Sequence, residues 1–370
     1  MKELIVKYIR YRNFYTKLIL LVFIACIFSK ELYSQIASYS NEYLNIGTDA
    51  SSLSRGNAVV ATVAGVNAGY YNPSGLVSMT SKYEVSLMHT NYFSGLAQYD
   101  YAGISYKPGD SLAIGFSMLR FGVDDIPNTL NLVDENGNID YDRITYFSVA
   151  DYGFFFSLAR KSKIKQLQWG ASIKFIYRRQ GEFASAYGFG FDLGLKYEYR
   201  NWKFGAALRD ATSTFNFWIF NSDKYKDVFL ATNNEIPDNS LEIALPALFT
   251  GFAREFKLSD KFFIVPEIDL DFHFDGMRNS LINSGNMSID PHMGVQANYL
   301  KNVYLRFGFD KFQLVEDFDK NKKLMVQPSF GVGFSVYNFF IDYALTDVGD
   351  LTVSPVSHIF SLKYNFGKNQ

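Results

Sequence analysis

The stretch Tyr187-Gly-Phe-Gly-Phe-Asp-Leu-Gly-Leu-Lys-Tyr-Glu-Tyr199 alternates strictly between two kinds of residue. Every odd position is aromatic or leucine, and every even position is glycine or charged. A two-residue period sends these sets to opposite faces of a β-strand, whereas a helix would scatter both around its axis. A soluble sandwich would bury the rings between two sheets. An outer-membrane barrel would turn the rings toward lipid and the charges toward its lumen.

The composition favours a barrel. Of the 370 residues 18% are aromatic, with 36 Phe and 26 Tyr, yet the mean hydropathy is −0.06. That value is too polar for a bundle of membrane helices, each of which needs about 20 consecutive apolar residues. A high aromatic content without long apolar runs is typical of strands that face lipid on one side.

The N-terminus predicts an export signal. Five basic residues between Lys2 and Lys17 precede the apolar segment Leu18–Ser29, which is too short to span a membrane comfortably. We expect cleavage after Ser34, so that residues 1–34 are a signal peptide. Acylation of Cys26, the only cysteine, is the less favoured alternative because the residues before it fit a lipoprotein signal poorly.

Removal of residues 1–34 leaves 30 basic and 35 acidic residues, a net charge of −5. The remaining chain has no cysteine, which excludes disulfides and thiol chemistry. It has no basic arm or patch of the kind that binds nucleic acid.

Fourteen alternating segments follow residue 82, and most are 9 to 13 residues long, close to the length that crosses a bilayer at a tilt. The predicted segments are Tyr83–Phe93, Gln98–Lys107, Ser111–Phe121, Tyr146–Leu158, Gln168–Arg178, Tyr187–Tyr199, Trp202–Arg209, Pro246–Lys257, Phe262–Phe274, Pro291–Tyr299, Val303–Phe312, Gln327–Val336, Phe339–Leu345 and Ser357–Phe366.

The links between these segments decide between sandwich and barrel. Links after even-numbered segments are mostly tight turns, whereas long polar links such as 122–145 and 210–245 follow odd-numbered segments. Short turns at one rim and long loops at the other characterise an outer-membrane barrel. We therefore predict an all-β, 14-stranded antiparallel transmembrane barrel over residues 81–366, with a C-terminal tail at 367–370, in the outer membrane of a Gram-negative bacterium.

Residues 35–80 differ from the strands that follow. They are rich in small residues, which allow close backbone packing, and they contain a turn signal with a fixed kink at Asn72, Pro73 and Gly75. We expect this segment to form a compact N-terminal hatch in the lumen.

The predicted strands place eight charged residues on the lumenal face: Lys174, Asp192, Lys196, Arg209, Glu267, Asp269, Asp271 and Arg306. The acids of segment 262–274 could bind a cation or a basic ligand, or hold the hatch. The favoured interpretation pairs them with Lys174, Lys196, Arg209 and Arg306, because unpaired charge away from water is costly.

Other candidate sites are weak. The loop Asp134–Asp140 lacks the glycine and glutamate spacing of a calcium loop, and the four histidines lie on separate segments without metal-ligand spacing. No nucleophile elbow or phosphate loop occurs. We expect no enzyme activity, no metal and no cofactor.

The link 211–245 contains the aromatics Phe215, Phe217, Trp218 and Phe220. Exposed on an extracellular loop, they would form a partner surface or contact lipid. A loop that folds over the barrel mouth and buries them is equally compatible with the sequence.

Several motifs carry a family resemblance. Tyr43-Leu-Asn-Ile-Gly47, Ala58-Val-Val-Ala61 and Asn72-Pro-Ser-Gly-Leu76 together resemble the N-terminal region of the PorV/PorQ family, which belongs to the wider FadL-like barrels of Bacteroidota. Ser74 stands where alanine is commoner. The resemblance continues through Trp169–Lys174, Gly188–Gly194 and Ile341–Leu345, and so covers nearly the whole chain after the signal.

The resemblance implies a 14-stranded barrel with a hatch and a non-enzymatic role in type IX secretion. Members of that family engage the translocon, the attachment machinery or the C-terminal domains of cargo, and the extracellular loops would make these contacts here. The alternative is a FadL-type channel for hydrophobic small molecules, which would need an apolar pocket and a lateral opening at a strand kink. Lumenal polar residues argue against a full-length apolar tunnel, but not against a small pocket near the hatch.

Overall fold

The computed structural model describes residues 40–92, 95–130, 132–133, 137–231, 234–276, 278–316, 322–346 and 356–368. The predicted signal peptide, residues 1–34, lies outside the described residues. No helix in the described part of the chain is long and apolar enough to span a membrane.

Antiparallel strands pair in chain order around a single closed sheet. The first and last strands close it, from Ser81 opposite Lys368 to Asn91 opposite His358. Three strand segments are separated from the next segment by only one to four residues, and both segments pair with the same neighbouring strands. Counting such segments as one strand gives fourteen strands. They are β1 Ser81–Tyr92, β2 Ala97–Gly109, β3 Leu112–Asn128, β4 Thr145–Lys161, β5 Leu167–Gln180, β6 Ala184–Tyr199, β7 Trp202–Arg209 and Thr214–Phe220, β8 Ser240–Ala244, Ala247–Arg254 and Phe256–Lys257, β9 Phe262–His273, β10 Met287–Tyr299, β11 Val303–Glu316, β12 Lys322–Val336, β13 Phe339–Thr346 and β14 Ser357–Lys368.

This architecture confirms the predicted 14-stranded barrel. Several strands extend beyond their predicted ends on the side of the long loops: β3 continues to Asn128, β7 to Phe220, and β8 begins at Ser240. Strand β14 includes Gly367 and Lys368, which were predicted to lie in a separate tail. The outer links additionally hold the strand Ile282–Ser284, the helix Ser222–Ala231 and the 3-10 turn Tyr141–Arg143.

The two faces of the barrel differ as the sequence predicts. On β6, Tyr187, Phe189, Leu193 and Leu195 are 41–56% exposed on the outer face. The alternate positions of the strand are buried. Large apolar side chains are exposed in the same way on the other strands, among them Leu87, Ile104, Phe156, Ile268, Phe330 and Phe360. The barrel therefore carries an apolar belt around its outside, and its buried side faces the lumen.

Residues 40–80, the plug segment, lie inside the barrel. The segment contains the 3-10 turns Glu42–Asn45 and Pro73–Ser78 and the short helices Ala50–Leu53 and Ala68–Tyr71. Side chains from strands all round the barrel hydrogen-bond to its backbone, which requires a central position. These side chains are Lys107, Ser172, Lys196, Asp269, His292, Ser329 and Ser361.

Glycines on the wall allow the plug segment to approach. A Cβ atom at Gly308 would lie 2.1 Å from the backbone carbon of Arg55, and one at Gly170 would lie 2.5 Å from that of Pro73. Neither distance is compatible with a side chain. The alternation of glycine with large residues, visible in the sequence, thus serves the contact between wall and plug segment.

Candidate functional site

Two carboxylates of β9 hold the plug segment by its backbone. Asp269 Oδ2 accepts hydrogen bonds from the amides of Val59 (2.6 Å) and Val60 (2.8 Å). Glu267 Oε1 accepts from the amides of Ala61 (2.7 Å) and Thr62 (3.2 Å). Both carboxylates are almost fully buried. Hydrogen bonds from amides to an ionised carboxylate are stronger than neutral ones, so this clamp fixes the middle of the plug segment to the wall.

The favoured pairing of these acids with lumenal cations was wrong. Glu267 lies 4.0 Å from Arg55, a plug residue, and Asp271 lies 3.0 Å from His292 on β10. Of the four cations predicted to partner them, Lys196 instead donates to the carbonyl oxygen of Val63 (2.8 Å). Glu267 and Asp269 bind the plug segment because its backbone amides, and not the predicted cations, lie within hydrogen-bond distance of their carboxylates. Strand periodicity alone does not predict this arrangement.

The other lumenal charges form separate ion pairs within the wall. Lys174 bridges Asp192 (2.8 Å) and Asp210 (2.6 Å), and Arg306 pairs with Asp342 (2.6 Å). All eight residues predicted to face the lumen are buried or half-buried there. Their inward direction follows from the strand period, whereas Asp210 and Asp342 were not predicted as partners.

The predicted kink at Asn72, Pro73 and Gly75 opens a 3-10 turn. Asn72 Oδ1 accepts hydrogen bonds from the amide (3.3 Å) and the hydroxyl (2.7 Å) of Ser74. Its Nδ2 donates to the carbonyl oxygens of Val60 (2.9 Å) and Leu195 (3.1 Å). The kink therefore joins two parts of the plug segment to β6.

Strands β7 and β8 are interrupted side by side. Four residues, Asp210–Ser213, separate the two pieces of β7, while only Leu245 and Pro246 separate the facing pieces of β8. Asp210 and Ser213 have positive φ angles of 51° and 63°. Proline cannot donate to a strand ladder, and an unequal residue count forces one strand to bulge. The sheet thus has a local break at this point, which we call the wall break.

The wall break lies within the apolar belt. Phe215, Phe217 and Leu241 are 44–50% exposed beyond it, and Phe252 is 43% exposed below it. A narrow cavity of about 40 Å³ adjoins it and is lined by Asp210, Leu245, Pro246 and also Phe274, whose side chain is 45% exposed on the outer face. Residues of the lumen and of the outer face therefore meet around one cavity.

A larger cavity of about 480 Å³ lies between the plug segment and the wall. Six aromatic side chains contribute to its lining: Tyr43, Tyr70, Tyr71, Tyr92, Phe121 and Phe249. Arg209, Tyr70, Phe249 and Asn45 line both cavities, so these residues separate the larger cavity from the wall break. Its volume is within the range of small-molecule sites, about 300–1,000 Å³.

The rim of the larger cavity carries an ion pair between the plug segment and an outer link. Arg278 contacts Glu42 (3.0 Å) and Asp275 (2.6 Å). Although burial opposes ionisation of Asp275, the hydrogen bonds and charge of Arg278 lower the pKa of that carboxyl below its ordinary value. The pair ties the turn Glu42–Asn45 to the mouth of the barrel.

The four aromatics predicted in a free loop lie in β7 instead. Phe215 and Phe217 face outward opposite Phe189 and Tyr187 of β6. Trp218 faces inward, where its Nε1 donates to Glu242 (2.7 Å) and the Arg178 guanidinium lies 4.9 Å from its ring. Phe220 is half-buried at the end of the strand. The wall break obscured this strand in the sequence because it interrupts the alternation.

The histidines make pairwise contacts. His89 lies 2.6 Å from Asp100, His358 lies 2.7 Å from the Tyr343 hydroxyl, and His273 lies 3.6 Å from Asp290. Among the described residues, no three His, Cys, Asp or Glu side chains are placed to hold a metal ion. The candidate calcium loop falls partly outside the described residues.

No family model matches the sequence, and a search of curated proteins gave no match. Among solved structures the fold is similar to the CymD monoaromatic hydrocarbon channel (TM-score 0.55, 15% identity, covering 88% of this chain and 99% of that one). It is also similar to the toluene transporter TbuX of Ralstonia pickettii (0.52, 15%, 86% and 98%) and the toluene transporter TodX of Pseudomonas putida (0.54, 14%, 86% and 98%).

Identities of this size show the fold alone. They agree with the predicted FadL-like barrel, whereas the narrower resemblance to the PorV/PorQ family stays a prediction. A closed barrel with an apolar belt pairs the strand backbone within the sheet everywhere except at local interruptions such as the wall break, and a bilayer requires such pairing. The predicted localisation, an outer membrane crossed by many strands, is confirmed by this architecture.

Proposed function

We propose that the protein is a channel that admits small molecules with hydrophobic bodies through the outer membrane. The observation that carries the proposal is the wall break, where a cavity reaches from lumenal residues to the outward-facing Phe274 within the apolar belt. For an apolar molecule, passage from the lumen directly into the bilayer is more favourable than passage through water, because its apolar surface stays out of water.

The larger cavity supports the proposal. It has the size of a ligand site, aromatic side chains contribute to its otherwise mostly polar lining, and Arg209 and Phe249 connect it with the wall break. The solved structures of similar fold are described as hydrocarbon channels and toluene transporters. An apolar molecule held in the cavity would reach the wall break by displacing few side chains.

The test is removal of Ala211 and Thr212, which makes the two breaks equal in length. Equal residue counts would let β7 and β8 pair in register through the break, apart from the missing Pro246 donor, and would close the outlet. We expect the uptake of toluene by cells that carry the protein in a lipopolysaccharide-covered outer membrane to slow by about tenfold or more, the change that an added barrier of about 1.4 kcal/mol produces. Removal of two residues from the exposed loop 137–140 serves as the control. Unchanged uptake by cells that carry a correctly paired variant would refute the lateral route.

The role in type IX secretion stays a prediction. The aromatics proposed as its partner surface lie in a wall strand, and two of them, Phe215 and Phe217, face the lipid side. Recovery of translocon components or cargo C-terminal domains with the tagged protein from native membranes would support that role.

A further inference from the structure

The larger cavity has a cation without an ion pair, Arg209, on one wall and an acid without an ion pair, Asp310, on another, among the residues that the structure describes. Arg209 of β7 donates hydrogen bonds to two neutral acceptors, Asn45 Oδ1 (3.3 Å) and the carbonyl oxygen of Tyr70 (3.5 Å). Within the described residues, its guanidinium has no carboxylate inside 4.0 Å, and its buried Nε has no hydrogen-bond partner. The Tyr70 and Phe249 rings lie 4.9 Å and 4.3 Å away.

The acids lie on β9 to β11. Asp310 is 9% exposed, and in the described part of the chain its Oδ1 accepts no hydrogen bond; the same holds for Oδ1 of Asp271. Strand β11 bulges between Asp310 and Gln313, with Lys311 at a φ of 47°. Bulges re-aim side chains, and here Asp310 and its neighbour Lys311 both line the cavity.

A buried charge without a partner is costly unless a ligand supplies one. Arg209 calls for an anionic group, and Asp310 calls for a cationic one. Aromatic side chains of the same lining, such as Tyr71 and Phe121, suit an apolar body. We infer that this cavity binds a dipolar ligand with an aromatic body, an anionic group against Arg209 and a cationic group against Asp310, such as a short zwitterionic peptide.

The spacing suits a ligand of several residues rather than a single amino acid. Arg209 and Asp310 stand four strands apart, roughly 19 Å along the wall at about 4.8 Å per strand. Both residues line the same cavity, and the straight distance across a curved wall is shorter than the path along it. An extended tripeptide spans roughly 10 Å. This inference rests on the proposed function, since it names the ligand class of the same cavity.

The test uses the full chain in detergent and four forms of one tripeptide of phenylalanine, glycine and phenylalanine. The forms are free, N-acetylated, C-amidated and capped at both ends, and calorimetry gives each Kd. We expect either cap to weaken binding by about tenfold or more, because a hydrogen bond to a charged group contributes about 1.5–3 kcal/mol. The doubly capped form should bind most weakly.

Two variants assign each end. In Asp310→Asn, N-acetylation should raise the Kd less than twofold, while C-amidation should still raise it about tenfold. In Arg209→Met, C-amidation should raise the Kd less than twofold, while N-acetylation keeps its full effect. Arg200→Gln, on an exposed turn, is the control. Equal Kd values for the four forms, or variants that weaken all four equally, would overturn the inference. If no form binds, the inference fails; the toluene assay with the shortened β7 then decides separately whether the channel proposal stands.

Discussion

Asp269 carries a large share of the contact between wall and plug segment, because one carboxylate oxygen accepts two backbone amides. In Asp269→Ala both amides lose a charged acceptor. We expect a loss of about 1.5–3 kcal/mol from local stability, which accelerates hydrogen exchange at Val59 and Val60 by about tenfold or more. Asp260→Ala, on an exposed turn, should leave exchange unchanged. Equal exchange in both variants would show that Asp269 does not hold the segment.

Gly308 tests how tightly the segment fits. A methyl group there would lie 2.1 Å from backbone of the plug segment, whereas one at Gly109 would meet nothing within 4 Å. We expect Gly308→Ala to displace the segment and raise single-channel conductance in planar bilayers several-fold, because a backbone clash cannot be relieved by a rotamer change. Gly109→Ala should conduct like the wild type. Closed channels in both variants would contradict the fit described here.

For single residues, the sequence predicts which face of the sheet a side chain points to better than which group it contacts. Strand alternation is enough to turn Lys174, Asp192 and Glu267 inward, because the period fixes the face. It cannot tell that Glu267 meets backbone amides of Ala61 and Thr62, since that contact joins segments about 200 residues apart. The same limit explains why the predicted pairing of Arg209 with an acid of β9 was wrong.

Among the elements, β7 shows why a strand boundary was missed. Alternation stops at Arg209, where Asp210 turns to a left-handed φ, and resumes only at Thr214. Read locally, such a pattern is a strand that ends and a loop that starts. Pairing of Phe215 and Phe217 with β6 restores the strand, and only the neighbouring strand supplies that information.

The turn Pro73–Ser78 is predicted to depend on Asn72. Asn72→Ala removes the acceptor of the Ser74 amide and the donor to two carbonyl oxygens, so buried groups stay unsatisfied at a cost of about 1–3 kcal/mol. We expect faster hydrogen exchange at Ser74 and Gly75. Asn338→Ala, on an exposed turn between β12 and β13, is the matched control. If the Ser74 amide exchanges equally slowly in Asn72→Ala, packing alone stabilises the turn.

For the whole molecule, the fourteen segments were predictable because most strands repeat one alternation and because loop lengths alternate with them. Closure itself is not encoded in any single strand, because it pairs β1 with β14 at the two ends of the barrel sequence. The two cavities could not be predicted from the sequence either, because each is bounded by the plug segment and by several strands far apart in the chain.

The apolar belt makes a prediction about the whole barrel. Leu193 is 48% exposed on the outer face, midway between Tyr187 and Tyr199. Leu193→Arg would place a charge against the acyl chains, and a cationic side chain at the bilayer midplane costs about 2–4 kcal/mol. Reversible urea unfolding in phosphocholine bilayers measures this loss. Tyr337→Arg, on the 97% exposed turn between β12 and β13, should cost less than about 1 kcal/mol because charge is tolerated near the interface. If both variants unfold at the same urea concentration, the outward rings do not face lipid, and the lateral route from cavity to bilayer loses its physical basis.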